Sequence, residues 1–457
     1  MLLPGLIYEM VPNVFIFTNL KYYVMKNLAK LSIELLFLLT FTVVEAASPS
    51  LLNQEIQDPQ SVITIKGKVV DTETKNPLVF ATITVQGTNV ATVTNLDGEF
   101  LLKIPSTLSN PGIEILYIGY ENRIININNL RDGGKNNTIE LKQIIIPIKE
   151  VVIKSITPEE IIKEVITSVS DNYAGIPNLM TSFYRETIRK NKSYVSIAEA
   201  VIEIFKAPYN NAFRNDMARV YMGRKNVEVT RFDTVLFKLQ GGPTTTLQLD
   251  MIKNPYSILS MEAMSSYDYK LVNIVVIDEM PHYVIEFHQK PDIDIPLFYG
   301  RLFIEMETFA LTEAAFSMNL EDKDEASQMF IRKKPLGMKA TPVMTSYRVK
   351  FREQEGKWYF AYSRAEVKIK INWKKKLFNT NYTTMSEIAV TDRTIEEVIK
   401  FESSERLRKG DIFTQQLSAF TDPDFWGDYN VIEPDQSIES AIRRLNRKLK
   451  FSDRKGK

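Results

Sequence analysis

The sequence predicts a mainly β protein: an N-terminal Greek-key β-sandwich, then a large curved antiparallel β-sheet domain, with a linker helix between them and helices at the C-terminus. Three observations predict it. Residues 62–146 alternate apolar and polar in period two, with turn signals at short intervals. From about Met180 to Val390, longer alternating runs follow one another as hairpins. Between them, Thr157-Pro158-Glu159-Glu160 opens a stripe of apolar residues at helical spacing.

The chain opens on an apolar, patternless stretch, residues 1–24. It reads as a start assigned too early, with Met25 as the initiator, or as a longer export leader. From Met25, Lys26 and Lys30 form a positive segment, Leu31–Val44 an apolar one, and Val44 and Ala46 precede a cleavage site before Ala47. This is the layout of a secretory signal peptide. The alternative is a retained anchor, but the run is shorter than the roughly 20 residues a spanning helix needs and Glu34 interrupts it. Residues 1–46 are therefore expected to be absent from the mature protein, which works in the periplasm or against the outer membrane. With no cysteine, it is not a lipoprotein.

The sandwich is expected over 60–146. Ile63 to Val70 forms a strand, and Asp71–Pro77 a turn. Val79, Ala81, Ile83 and Val85 share one face of the next strand, with Thr82 and Thr84 on the other. A tight turn at Asn95–Gly98 precedes the alternation of Phe100, Leu102 and Ile104, and further strands are expected at Ile115–Tyr120, Ile124–Ile127 and Ile139–Leu141. Asn95, Asp97 and Glu99 alternate like calcium ligands, but the bidentate acid at the twelfth position of a calcium loop is absent, which leaves a hairpin turn.

These residues carry a resemblance. Gly67-x-Val69-x-Asp71, Pro77-Leu78-x-x-Ala81-x-Ile83-x-Val85-x-Gly87-Thr88, Thr94-Asn95-x-Asp97-Gly98-x-Phe100 and Tyr117-x-Gly119-Tyr120, in that order, resemble the carboxypeptidase regulatory-like domain. The resemblance implies a transthyretin-like sandwich that serves as a structural or binding accessory. Lys149–Ile153 resembles the short strand that follows this domain in outer-membrane receptors, although no plug or barrel follows here.

Residues 147–176 read as a linker strand and helix. Ile161, Ile162, Val165, Ile166 and Val169 form the stripe, and the helix ends near Tyr173-Ala174-Gly175. The sheet domain is expected over 177–393, with strands at 194–205, 270–277, 282–288, 302–307, 311–318, 344–353, 358–372 and 382–390. Residues 208–260 are less regular, and Gly241–Thr246 reads as a loop. A long meander under a helix resembles the lipoprotein-carrier-like fold of the periplasm. The pairing of Phe183-Tyr184-Arg185-Glu186 with Phe425-Trp426-Gly427-Asp428-Tyr429-Asn430 resembles a Gram-negative envelope family of unknown function. In the tail, 394–457, Thr394-Ile395-Glu396-Glu397 predicts a helix to about Arg408. Asp435 caps another, with Ile438, Ile442, Leu445 and Leu449 on one stripe and Arg443, Arg444, Arg447 and Lys448 on the other face. That helix docks on the protein or rests on an anionic membrane.

The chemistry is narrow. Lys+Arg is 57 against Asp+Glu 56, so no basic excess points to nucleic acid. Without cysteine there is no thiolate chemistry or Cys-ligated zinc. The two histidines, His282 and His288, are six apart in a strand-like run, roughly 20 Å at strand rise, too far to share a metal. No nucleophile elbow or glycine-rich phosphate loop occurs. No cofactor is expected. Carboxylates are abundant: Glu305 with Glu307, Asp292 with Asp294, and Glu321, Asp322, Asp324 and Glu325. Their abundance does not place two of them across a sugar.

The densest basic patch is Lys368, Lys370, Lys374, Lys375 and Lys376 around Trp373. It is the one candidate surface site, for lipid headgroups or acidic glycans, although lysines also guard strands against edge pairing. The reading is a non-enzymatic envelope protein that binds or scaffolds, with lipid or another envelope protein as partner, peripheral membrane contact at most, and an apolar ligand on the concave sheet face. A carboxylate-based hydrolase acting on envelope glycans or peptides and a structural partner of an outer-membrane assembly are the alternatives.

Overall fold

The computed structural model describes residues 7–10, 61–108, 111–130, 137–144, 156–211, 214–227, 236–239, 242–254, 258–330, 336–374, 378–419 and 425–444. The signal segment, Lys149–Ile153 and the helical stripe beyond Arg444 lie outside them. Ile7–Met10 pairs in parallel with Leu236–Leu239 as a small separate sheet. Among the described residues, no helix is long and apolar enough to cross a membrane.

Seven strands build the sandwich: β1 (Val62–Asp71), β2 (Thr82–Val85), β3 (Ala91–Val93), β4 (Glu99–Pro105), β5 (Gly112–Leu116), β6 (Arg123–Asn126) and β7 (Asn137–Leu141). One sheet has the order β4-β1-β7, the other β3-β2-β5-β6. The alternating residues fill the space between them, with Ile65, Val69, Ile83, Phe100, Leu102, Ile104, Ile113 and Ile115 buried together. The Asn95 turn is closed by its own side chain: Oδ1 accepts from the Asp97 and Glu99 amides at 2.9 Å each. Gly98 sits at φ +76°, and a Cβ there would stand 2.7 Å from the Val69 carbonyl, so no other residue suits the turn. The strand expected over Ile115–Tyr120 stops at Leu116. Gly119 turns the chain at φ +77° and donates its amide to the Val276 carbonyl of the second domain.

Thr157 caps helix α1 (Pro158–Thr167) with the reciprocal bonds the sequence predicts: its Oγ1 accepts from the Glu160 amide, and its amide donates to Glu160 Oε2. A one-turn helix, Val169–Asn172, continues it, so the expected single helix is two short ones. Its end is pinned to the sheet: Asn172 Nδ2 donates to the Thr308 carbonyl and Tyr173 OH to the Leu311 carbonyl, each at 2.7 Å.

The large sheet has eleven strands: β8 (Asn178–Lys190), β9 (Ser193–Lys206), β10 (Met217–Val227), β11 (Tyr267–Ile277), β12 (Met280–Gln289), β13 (Phe298–Glu305), β14 (Leu311–Met318), β15 (Met338–Gln354), β16 (Lys357–Trp373), β17 (Thr380–Thr394) and the two-residue β18 (Ser418–Ala419). All pair antiparallel except β18, which runs parallel to β10. The meander is wrapped. Strands β11 to β17 lie in sequence order, and the first hairpin, β8–β9, then docks beside the last long strand through β17–β8. Strand β10 was not legible in the irregular 208–260 stretch. Its Arg219 and Arg224 pair with Glu203 and Glu199 of β9, and these charges break the apolar alternation.

The two faces of the sheet differ sharply. The inner face is apolar and is covered by Ile161, Ile162 and Val165 of α1 and by Leu247, Leu249, Met251, Ile252, Ile258 and Leu259. The latter belong to the less regular 208–260 stretch, and Gly242–Thr246, expected as a loop, is a short buried helix. One carboxyl, Glu186, is enclosed on this face. Burial pushes it up to about 8, and it accepts a 2.9 Å bond from Tyr184 OH.

The outer face carries a row of charges across six neighbouring strands, in register: Arg224, Glu199, Arg185, Glu387, Arg364 and Arg348. Arg185, 2% exposed, holds Glu199 at 2.8 Å, Glu387 at 3.3 Å and the Ile432 carbonyl at 2.7 Å. Arg364 adds a 3.0 Å bond to Glu387. The sandwich docks on this row. Phe80, at φ +62°, sets its ring 5.8 Å from the Arg348 guanidinium, 5.2 Å from that of Arg364 and 5.5 Å from Tyr362. Its carbonyl accepts from Lys350 Nζ at 2.8 Å.

The helix expected over 394–408 does not form. Thr394 ends β17, paired with Leu179, and its Oγ1 takes the Glu396 amide in a local turn, while Glu397 adopts φ +50°. Phe401 then packs on Phe205 at the sheet border. Among the described residues of the tail the helical ones are a single 3-10 turn, Phe413–Gln416, and residues 436–444. Asp435 caps that helix, and Ile438 and Ala441 dock on Tyr194 and Ile197 of β9. Asn430 bonds both ways to the backbone of Lys103, at 2.7 and 2.9 Å, and so ties the sandwich's edge strand to the tail.

Removing one partner of a buried ion network leaves the others unpaired, at a cost of about 3–5 kcal/mol. Arg185→Ala should lose that much stability in urea denaturation; a loss below about 1 kcal/mol would show the row to be dispensable. Glu186 gives a pH signature. It titrates near 8 when folded and near 4.5 when not, so the folded chain holds the extra proton between those values and stability falls as pH rises through them. Glu186→Gln should flatten that slope, worth about 1.4 kcal/mol per pH unit for one group. Parallel stability curves for the two proteins from pH 4.5 to 8 would contradict the assignment.

Candidate functional site

The sandwich covers one end of the outer face, where Val276, Asp278, Lys350 and Arg352 meet it. At the opposite ends of the same strands no sandwich residue among the described ones covers the face. There, the β13 entry loop and the segment after β14 rise on either side of an open groove of about 1230 Å³. Its apolar wall comes from Ile293, Ile295, Tyr299, Leu320, Val343 and Met344. Three of these are solvent-exposed in spite of their chemistry: Ile295 at 40%, Tyr299 at 44% and Val343 at 43%.

One side chain organises the loop. Gln289 Nε2 donates to the carbonyls of Ile293 and Ile295 at 2.7 and 2.9 Å, and its Oε1 accepts from the Leu297 amide at 2.7 Å. The opposite wall is fixed by Asn319, whose amide donates to the Leu297 carbonyl and whose Oδ1 accepts from the Glu321 amide. Tyr299 stacks flat on His288, with ring centroids 6.2 Å apart, and His288 Nε2 sits 2.9 Å from Glu286. That contact, with burial opposing it and Arg301 adding to it, holds the Glu286 carboxyl below its usual range. Lys290, Asp294, Glu321, Asp322 and Lys323 form a rim of both signs. Such a rim does not select strongly by charge, so the discriminating surface is the apolar wall.

The expected surface site is split by the pleat. Lys368 and Lys370 project from the outer face, whereas Trp373 packs against the inner core. Residues alternate along β16, so Trp373 and these two lysines cannot form one surface. Lys374 is exposed past the strand end, and Lys375 and Lys376 lie outside the described residues. The outer pair nonetheless borders the groove, since Lys368 is the cross-strand neighbour of Met344 and Lys370 that of Thr341.

The carboxylates have local duties. Glu305 closes its hairpin by accepting from the amides of Glu307 and Thr308 at 2.7 and 2.6 Å. Asp322 Oδ1 accepts from the amides of Asp324 and Glu325 at the start of helix α2 (Lys323–Phe330). Asp324 pairs with Lys339. His282 and His288 lie on one face of β12. His282 is buried, with Nδ1 2.8 Å from the Met280 carbonyl, and burial holds its pKa below the usual value. Among the described residues no group of three or more His, Asp or Glu could hold a metal ion.

The groove itself was missed in the sequence, though Pro291-Asp292-Ile293-Asp294-Ile295-Pro296 held a signal: two isoleucines in a proline-bracketed loop have no strand or helix in which to bury themselves.

Residues 65–153 match the CarboxypepD_reg-like domain family. No curated protein matches the chain. Among solved structures, a DUF1329 family protein from Desulfovibrio piger is 11% identical, with 55% of this chain and 99% of that one covered and a TM-score of 0.23. A domain assigned to an outer membrane lipoprotein-sorting protein from Vibrio parahaemolyticus is 9% identical, with 53% and 95% covered and a TM-score of 0.22. Scores this low bear on neither fold nor function.

If Glu305 serves the hairpin, Glu305→Ala should cost about 0.5–1.5 kcal/mol, the usual net worth of a hydrogen bond whose donors water can reach. A thermal or urea midpoint unchanged by the substitution would free this carboxylate for another role.

Proposed function

We propose that this chain is a non-enzymatic binding or scaffolding protein of the cell envelope, and that the groove on the outer face takes an apolar ligand such as a lipid chain. The observation that carries this is the exposed wall of Ile295, Tyr299 and Val343 in a cleft of about 1230 Å³, large enough for a small-molecule ligand. Lys368 and Lys370 beside it are placed to meet an anionic headgroup. The inner face, where an apolar site was expected under the helix, is packed with the chain's own Leu247, Leu249, Met251, Ile252, Ile258 and Leu259. The export pattern of residues 25–46 supports the envelope location.

Acids converging on a cleft would favour a hydrolase instead. Glu305 and Asp322 are engaged in a turn and a helix cap, and this speaks for binding.

The test is native mass spectrometry with lipid extraction on mature protein purified from its own envelope, beside an Ile295→Asp/Val343→Asp variant. Lipid should accompany the wild type near one to one. The variant should hold at least about tenfold less, a factor worth only ~1.4 kcal/mol. A clean apo mass for the wild type sinks the apolar-ligand reading and directs attention to an envelope protein as partner. Lipid retained by a folded variant moves the site away from the groove.

A further inference from the structure

A second cleft, of about 340 Å³, lies at another border of the sheet, where β9 ends and β10 begins. Its floor is Phe205, Met217 and Leu407, and three cations line it: Arg214, Lys400 and Arg406. Lys400 is there because residues 395–408 run along the sheet border instead of forming a helix.

The nearest acid is already engaged. Asp216 Oδ2 accepts from the buried Lys206 at 2.6 Å, and Oδ1 accepts from the Ala207 amide at 2.9 Å. Lys206 also donates to Asp250 at 2.6 Å, and Asp250 takes the Tyr209 hydroxyl as well. Arg406, which lines the cleft, donates its Nε–H to the Phe401 carbonyl at 2.7 Å. Arg214 and Lys400 are exposed, and among the described residues neither side chain has an acidic partner.

Behind the cleft stands a further cation. Lys253 Nζ donates to the carbonyls of Pro208 and Asn211, and burial, with Lys206 and Arg214 adding to it and Asp216 and Asp250 opposing it, holds its pKa down to about 8. Five cations therefore gather around Asp216 and Asp250, with Glu405 beside Arg406, in a protein whose overall charge is +1. Like charges brought together over an apolar floor repel one another unless an anion sits between them. Two guanidinium forks and an ammonium are the donor set that matches the oxygens of phosphate.

We propose that this cleft binds a phosphate group, presented as free phosphate or as the headgroup of an anionic lipid. It is separate from the apolar groove and does not depend on it.

The test uses the full mature chain and an Arg214→Ser/Lys400→Ser variant. Neither side chain makes a hydrogen bond to the rest of the described protein, so the variant should keep the wild-type melting temperature. Inorganic phosphate is titrated calorimetrically at constant ionic strength, with chloride as control. Flotation with phosphatidylglycerol vesicles follows, with phosphatidylcholine vesicles as control. Wild type should bind phosphate at least about tenfold more tightly than the variant, since each lost charged contact exceeds ~1.4 kcal/mol. Phosphatidylglycerol flotation that the variant loses identifies a lipid headgroup as the source, and phosphate binding without flotation identifies the free ion. Affinity equal in both proteins, or heat no greater than with chloride together with no flotation, overturns the proposal.

Discussion

The guanidinium of Arg185 joins three neighbouring strands of the large sheet to the C-terminal tail. It lies in the middle of β8, the strand that closes the meander by pairing with both β9 and β17. It binds one carboxylate from each neighbour and one carbonyl from the C-terminal tail. A guanidinium with so little access to water is tolerable only if every fork of it is satisfied. Both neighbouring strands and the tail must therefore be in place before the charge is compensated. The constraint also fixes register. A slip of one residue would carry Arg185 to the apolar inner face and Tyr184 to the charged outer one. The same logic extends along the row from Arg224 to Arg348, so six strands share one alignment.

That row determines how the sandwich sits. Cations with aromatic neighbours form a polar floor that an apolar domain could not cover unaided, and Phe80 is the adapter. It adopts a left-handed backbone conformation that is uncommon for a bulky residue. The strain is offset by placing one ring against two guanidiniums and a tyrosine. The resulting interface is specific rather than greasy, and it runs from the β11–β12 turn as far as the charged row at the middle of the strands. The free ends keep an uncovered surface, and the groove forms there.

Much of this was legible. The sandwich strands, the Asn95 turn, the capped linker helix and most of the hairpins follow from local pattern. The Phe183–Glu186 and Phe425–Asn430 segments, singled out only for a family resemblance, turn out to meet in space, with Phe183 and Trp426 edge to face at 5.5 Å. The failures at Thr394 and β10 share a cause. Thr157 and Thr394 head the same Thr-x-x-Glu pattern, but only Thr157 is free of a prior commitment and followed by a stripe that can bury itself. Thr394 is held in the ladder by Leu179, and the residues after it are drawn along the sheet border one by one. Strand β10 was hidden because its residues answer to charges on β9. The lysine–tryptophan patch read as one surface although alternation along the expected strand already puts Trp373 on the face opposite Lys368 and Lys370. For Thr394 and for strand β10 the deciding partner lies outside the segment, where its own periodicity carries no information.

The distribution of cover over the sheet bears on where a ligand can bind. The inner face is closed by α1 and the 242–259 segment, and half of the outer face by the sandwich and tail. A ligand entering either would have to displace packed leucines and isoleucines, each worth about 1.5–3 kcal/mol of burial. Among the described residues the uncovered surface lies at the ends of strands, where loops shape it and no packing must be undone. Both clefts lie at such ends, and they differ in kind: one is an apolar wall with a rim of mixed charge, the other a set of cations with an acid already neutralised beside it. A scaffold whose faces are spent on holding itself together can vary its loops without unsettling its core, and on such a scaffold ligand choice is written in the loops.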